Sequence, residues 1–308
     1  MEEIEIQEIE MQDELVKYNV LAANRGSERC MKPLTPHKGK VFVSSDCISG
    51  EPNFILNYSD DAFLYSILKG KGKAFIDSNG YFNSRSLYIS TLSKTMLYKD
   101  IINSDFVDKW NSDEDKVKIE IKKAYKLSKV ACLSILYGAG AGNPHKNTGL
   151  YNLFKLNNAG ISFEETKKIW YGFWDSIPDV AKFRDSAQAY FEQCKKDKKP
   201  AVNAFGFIIP SGDPHKAMNY IIQSSLSAWI RELLKRLYQN NIIGVNNDSL
   251  AWLVCVVHDE LVVEVDKESV EEYREGLMKT VEDTNKYFGL KYPLELGFNT
   301  GSNFYEIH

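Results

Sequence analysis

Long apolar runs are missing from this 308-residue sequence, and none approaches the roughly 18 residues that a membrane span requires. Cysteine is sparse. Cys30, Cys47, Cys132, Cys194 and Cys255 are odd in number and form neither a CxxC pair nor a Cys/His ligand box. A disulfide scaffold and a structural zinc site are therefore not expected. A basic signal or transit peptide is absent, because the first fifteen residues, MEEIEIQEIEMQDEL, hold seven acidic groups and no basic one. No period of 20–50 residues recurs, so a solenoid is not indicated. These absences point to a cytoplasmic protein with no membrane association.

What is present is the composition of a packed globular protein, 44% hydrophobic and 26% charged. The net charge is −4, yet it is unevenly distributed. Beyond the acidic start, 38 basic residues face 35 acidic ones, a net +3, so a polyanionic partner is compatible with the body of the chain.

The pattern predicts an α+β fold. VFVSS (41–45) reads as a short strand ending at Asp46, and helical spacing begins after Glu51-Pro52. A Lys- and Gly-rich loop, KGKGKAFIDSNG, follows at 69–80. Residues 84–195 are mostly helical by periodicity, with a helix over 115–137 that stops at Gly138-Ala139-Gly140. AFGFIIP (204–210) reads as a strand or hairpin, and 214–241 as a long helix. AWLVCVVHDELVVEV (251–265) is two Val-rich runs around His-Asp-Glu, a β-hairpin with acid at its tip. A helix at 267–288 and a strand near 294–298 complete the expectation of a small sheet interrupted by a helical insert.

Three segments carry chemistry: Asp46-Cys47-Ile48-Ser49-Gly50-Glu51, the helix with Lys122, Lys126, Lys129, Leu133 and Tyr137, and His258-Asp259-Glu260. Taken singly, each has an ordinary explanation as a helix cap, a solvated face or a turn. Together they place two strand-end aspartates and a lysine-lined helix in one chain, which suits divalent cations and a triphosphate. At 100° per residue, the five helix positions fall within about 80° of one another. His215, Asn219 and Gln223, spaced four apart, align in the same way on the 214–241 helix.

DCISGE, then KxxxxxxxYG, then VHDE in a Val-rich hairpin resemble motifs A, B and C of the family A (Pol I-like) DNA polymerases, bacteriophage type. The resemblance implies a palm at 28–70 and 203–308, fingers at 71–202 and an acidic leader at 1–27. It implies template-directed addition of deoxynucleotides to a primer 3′ end, with primer–template DNA and dNTPs as partners. Two Mg²⁺ ions, or Mn²⁺, are the implied cofactors, held by Asp46, Asp259 and the backbone carbonyl of Cys47, with Glu260 as an accessory acid.

By the same resemblance Lys129 contacts the triphosphate, with Lys126 beside it, and serves as a catalytic cation. Tyr137 stacks at the insertion site, Leu133 stands at a position usually aromatic, and Glu51 gates the sugar. His215, Asn219, Gln223 and His258 contact primer or template. Other positions depart from the family pattern. Tyr125 stands where an arginine is usual, AFGFIIP replaces an arginine-rich segment, and Arg85 is the one candidate for a further phosphate contact. Only about 40 residues precede the first palm strand, too few for a thumb and a 3′–5′ exonuclease. The chain is therefore expected to work with a separately encoded thumb/exonuclease subunit or processivity factor, or alone with poor processivity. A catalytically inactive nucleic-acid-binding or assembly subunit that keeps the polymerase fold is the alternative reading. The remaining lysine groups (Lys69, Lys71, Lys73; Lys195, Lys196, Lys198, Lys199) suit either nucleic-acid phosphates or solvated loops. IWYGFW (169–174) reads as core rather than as a base-stacking platform.

Overall fold

The structure is a computed structural model that describes residues 31–70, 72–76, 82–84, 86–93, 101–210, 212–244 and 249–308. The acidic leader, Cys30, Lys71 and Arg85 lie outside the described residues. Among those described, no helix is long and apolar enough to cross a membrane. Nine strands follow one another there: β1 (Lys40–Asp46), β2 (Phe75–Ile76), β3 (Phe82–Asn83), β4 (Ala201–Val202), β5 (Ile208–Ile209), β6 (Ile243–Gly244), β7 (Ala251–Val257), β8 (Glu260–Asp266) and β9 (Asn299–Gly301). The chain divides into two units, Met1–Gly50 with Leu226–His308, and Glu51–Ser225.

The first unit is built on a five-stranded sheet of order β6-β7-β8-β1-β9, antiparallel except for the β6–β7 pair. β1 lies between two partners, and Phe42 to Ser45 are buried on both faces. The same cover explains why β8 reads as a nearly continuous apolar run, with Leu261, Val262, Val263 and Val265 all buried. Met31, Phe42, Val262, Phe304 and Ile307 form one core cluster. The helix Val270–Tyr287 buries Tyr273, Leu277 and Val281. Asn285 ties this packing together. Its Oδ1 accepts from Trp229 Nε1 (3.0 Å) and from the Leu294 N–H (3.1 Å), and its Nδ2 donates to the Leu294 carbonyl (2.9 Å).

The β7–β8 turn is tighter than the His-Asp-Glu tip predicted, because Glu260 already pairs with Val257 and only His258 and Asp259 bridge the strands. A two-residue hairpin loop needs positive φ, and His258 adopts it (φ 58°) without a glycine. The register shifts between Leu253 and Cys255, a bulge that twists the hairpin.

The second unit is mainly helical. Ala74, Phe82, Ile89, Phe106, Trp110 and Val117 form a core cluster, with Ile121 and Tyr125 packed at its rim. Asp61 joins two helices: its Oδ1 caps the Leu64 N–H (2.9 Å) and its Oδ2 accepts from the Asp179 N–H (3.1 Å). In the aromatic run, Ile169, Phe173 and Trp174 are buried as expected for core, while Tyr171 is exposed. Trp170 lies between, its Nε1 donating to the Ala139 carbonyl (2.9 Å).

Four expectations need correction. The 115–137 helix is two helices, Glu114–Glu120 and Lys122–Leu136, separated at Ile121 (φ −94°, ψ 20°). Val117 is buried in the core cluster and Ile121 packs against it, and no glycine or proline in the sequence signals the break. The last strand is Asn299–Gly301 rather than 294–298, where a single bridge joins Leu296 to Cys47. The Lys- and Gly-rich loop contains β2, which pairs with β3. The long helix opens as a 3₁₀ turn, Pro214–Lys216, and becomes α-helical at Ala217–Gln239.

Candidate active site

Two clusters gather most of the residues singled out in the sequence, one in each unit. In the sheet unit, Asp46 ends β1 directly opposite Glu260 at the start of β8. The Cys47 N–H donates to the carbonyl of Asp259 (3.3 Å), so the two aspartates stand on adjoining chain segments although 213 positions apart. The strand end is pinned from the other side. Gly297 N–H donates to the Asp46 carbonyl (2.7 Å) and Ile48 N–H to the Glu295 carbonyl (2.9 Å). Asp46 is exposed although the four residues before it are buried, and Asp259 is half-buried. The strand thus delivers a solvent-facing carboxylate at its end. The Cys47 thiol is buried.

Glu260 is differently situated. It is buried, and its Oε1 accepts from Ser44 Oγ (2.6 Å) and lies 3.2 Å from His308 Nε2. His258 is exposed at the turn. No group of three or more His, Cys, Asp or Glu side chains forms a metal cage among the described residues. Two aspartates and a backbone carbonyl are nonetheless the hard oxygen set that Mg²⁺ accepts, since that ion takes one or two protein carboxylates and completes its shell with water and phosphate. The donor chemistry therefore fits.

The helical unit holds the second cluster. The helix Lys122–Leu136 buries Ser128, Ala131, Cys132, Ile135 and Leu136, which turns Lys122, Lys126 and Lys129 to solvent and leaves Leu133 half-buried. Tyr137 is its C-cap. Beyond it, Gly138 at φ 90° donates its N–H to the Ile135 carbonyl (3.0 Å) and Ala139 donates to Ser134 (2.9 Å), a Schellman stop. Gly138 is also required by close approach, because a Cβ there would stand 2.7 Å from the carbonyl oxygen of His215.

The Tyr137 hydroxyl donates to Glu51 Oε2, and Gln223 Nε2 approaches Glu51 Oε1 at 3.5 Å. Residues 51, 137 and 223 thus come together from three elements. Asn219 lies one turn before Gln223, with its Oδ1 buried and without a hydrogen-bond partner among the described residues. His215 departs from the expected line, since it belongs to the 3₁₀ turn, where residues advance about 120° rather than 100°.

Tyr88 is a member of this cluster that sequence reasoning missed. Lys129 Nζ lies 5.9 Å from the Tyr88 ring, and Tyr125 meets that ring edge-on at 6.0 Å. Burial, followed by Tyr125, Cys132 and Glu51 as neighbours, pushes the Tyr88 hydroxyl up to about 12. Tyr88 belongs to the short helix Leu87–Ser93, and no motif marks it. Burial likewise pushes the Cys132 thiol up to about 12. Tyr125, at the usual arginine position, spends its side chain on packing.

Residues 111–306 match DNA polymerase family A. The chain belongs to that family. Among curated proteins, this family A chain is 27% identical over 176 residues to DNA polymerase I of Aquifex aeolicus, covering 57% of the chain and 29% of the relative. It is 26% identical over 166 residues to DNA polymerase I of Streptococcus pneumoniae, covering 51% and 18%. The chain therefore spans less than a third of the length of either relative. In fold it resembles the POL domain of Pol1 from M. smegmatis, solved in complex with DNA primer-template and dNTP, with a TM-score of 0.59 and 17% identity over 89% of this chain and 42% of that one.

Proposed function

We propose that this chain is the palm (28–70 and 203–308) and fingers (71–202) of a DNA-directed DNA polymerase that adds deoxynucleotides to a primer 3′ end. The observation that carries the reading is the meeting of Asp46 and Asp259 at the end of one sheet, from strands far apart in sequence. Family membership and the joining of Glu51, Tyr137 and Gln223 support it.

Asp46, Asp259 and the Cys47 carbonyl would hold Mg²⁺, or Mn²⁺, as two ions. When bound, the metal would make the primer 3′-hydroxyl more acidic and offset negative charge on the triphosphate. The Lys129 ammonium faces the triphosphate, offsets negative charge as the leaving pyrophosphate forms and supplies it a proton. Lys126 and Lys122 add point charges in place of the arginine that Tyr125 lacks. The half-buried Leu133 lines the nucleotide site beside them. Glu51, held by Tyr137, fills the volume a ribose 2′-hydroxyl would need, which selects deoxynucleotides. The Tyr137 ring stacks on a base. Asn219 and Gln223 contact minor-groove acceptors common to all correct pairs, and His215 and His258 contact the primer–template. Glu260, engaged by Ser44 and His308, acts as an accessory acid by fixing the β8 end beneath Asp259.

The bacteriophage-type assignment rests on the motifs alone, and the host cytoplasm is the compartment that follows from it. We further propose that a separate thumb, exonuclease or processivity protein works with this chain.

The test is primer extension with Mg²⁺, comparing dNTPs with NTPs. Asp259→Ala is expected to lower kcat/KM at least about 1000-fold, and Lys129→Ala by about 100- to 1000-fold. Full activity in Asp259→Ala would overturn the assignment. No extension by the unaltered protein, with DNA binding intact, would identify an inactive assembly subunit instead.

A further inference from the structure

A second concave site lies within the helical unit, where the sequence offered only a lysine-rich break. The C-terminal end of the helix Pro178–Lys196 and the β4–β5 hairpin enclose a cleft of about 610 Å³. Its apolar lining includes Pro200, Ile208 and Pro210, and its cations are Lys195, Lys198 and Lys199. These side chains and neighbouring Lys196 are exposed, and no described carboxylate forms an ion pair with any of the four. A helix C-terminus accounts for cations in its last turn. It does not account for Lys198 and Lys199 beyond that turn, nor for the aliphatic wall.

The cleft is preformed. Lys198 takes the left-handed position of the helix stop (φ 53°) that glycine usually occupies, while Lys199 N–H donates to the Cys194 carbonyl (2.9 Å). Opposite, the Val202 N–H donates to the Tyr190 hydroxyl (2.9 Å), and Asn203 Oδ1 accepts from the N–H groups of Phe205 and Phe207 (3.0 Å each). The hairpin so fixed leaves Ile208 70% exposed. An isoleucine held out on a short, braced hairpin beside unpaired lysines is a surface made for an apolar contact with anionic surroundings.

We propose that this cleft is a docking site for an acidic, aliphatic-rich peptide segment of a partner protein. Charge complementarity sets the sign of the partner, and the aliphatic lining sets its side chains. Single-stranded nucleic acid fits less well, because it needs aromatic faces for its bases. The one aromatic ring among the described lining residues, Phe191, is only 4% exposed and stacks on Tyr220 at 5.9 Å. The proposal stands apart from the polymerase assignment, since peptide binding is read without nucleotide or template.

The test uses the full chain and a fluorescein-labelled fifteen-residue peptide of alternating Glu and Ile or Leu, followed by anisotropy. The peptide should bind at least about tenfold more tightly than poly-Glu of equal charge. Binding should weaken by about tenfold or more both in the triple variant Lys195→Glu, Lys198→Glu, Lys199→Glu and in Ile208→Asp. Peptide should also shield Cys194, which lines the cleft, from iodoacetamide, as read by mass spectrometry of the unaltered protein. That readout stands even where a variant misfolds. Equal binding by the triple variant, or unshielded Cys194 at saturating peptide, overturns the proposal. Displacement of the peptide by a single-stranded oligonucleotide that binds more tightly through the same lysines would reassign the cleft to nucleic acid. Concentration-dependent dimers abolished by the triple variant would reassign it to a second copy of the chain.

Discussion

In the proposed site, Glu51 is a side chain that is held rather than merely present. One carboxylate oxygen takes the Tyr137 hydroxyl and the other faces the Gln223 amide, so the acid is a fixed wall instead of a mobile chain. Glu51→Ala should therefore lower the preference for dNTP over NTP by about 10- to 100-fold. Tyr137→Phe, which removes one hydrogen bond to the carboxylate without deleting the acid, should shift the preference the same way by less. The ratio of kcat/KM values for the two nucleotides in primer extension measures both, and an unchanged ratio in both variants removes Glu51 from sugar selection. Asp46, Glu51, Lys129, Tyr137 and Asp259 were legible in the sequence because each sits at an element end or on a helix stripe with its own pattern. Tyr88, and the Ser44 and His308 contacts to Glu260, were not. They depend on segments 37 to 216 positions apart that only packing brings together.

Among the elements, the strands and helices with strong periodicity were readable, including β1, both arms of the β7–β8 hairpin and the Val270–Tyr287 helix. β6 escaped because two residues carry no period, and the break at Ile121 escaped because no glycine or proline marks it. The same limit applies to Asn285, which looks like any polar residue near a helix end yet satisfies three buried groups of the sheet unit. Asn285→Ala strands the Trp229 indole N–H and both backbone groups of Leu294, and is expected to lower stability by about 2–4 kcal/mol. Urea unfolding checks this, and a change below about 0.5 kcal/mol would show that other groups take over the bonds.

At the scale of the whole chain, buried acids of high pKa set an alkaline limit. Burial raises the Cys132 thiol to about 12, and raises the hydroxyls of Tyr58, Tyr88 and Tyr273 as well. The folded form keeps protons that the unfolded chain releases from about pH 9 for the thiol and about pH 10 for the phenols. Stability is therefore whole below pH 9, falls as pH rises, and stops falling on account of Cys132 near pH 12. The slope from the fully buried thiol alone is up to about 1.4 kcal/mol per pH unit. Urea unfolding between pH 8 and 11 should show this decline, and Cys132→Ala should make it shallower by about one proton. An equal slope in the variant would assign the decline to the tyrosines.

The absence of a side chain at Gly138 has a mechanical consequence. With the His215 carbonyl only 2.7 Å from where a Cβ would stand, the tail of the lysine-bearing helix and the turn leading to Asn219 pack backbone against backbone. A side chain at this position would push the cationic stripe away from the segment proposed to sense base-pair shape, so Gly138 keeps charge at one end and geometry at the other within a single packed unit.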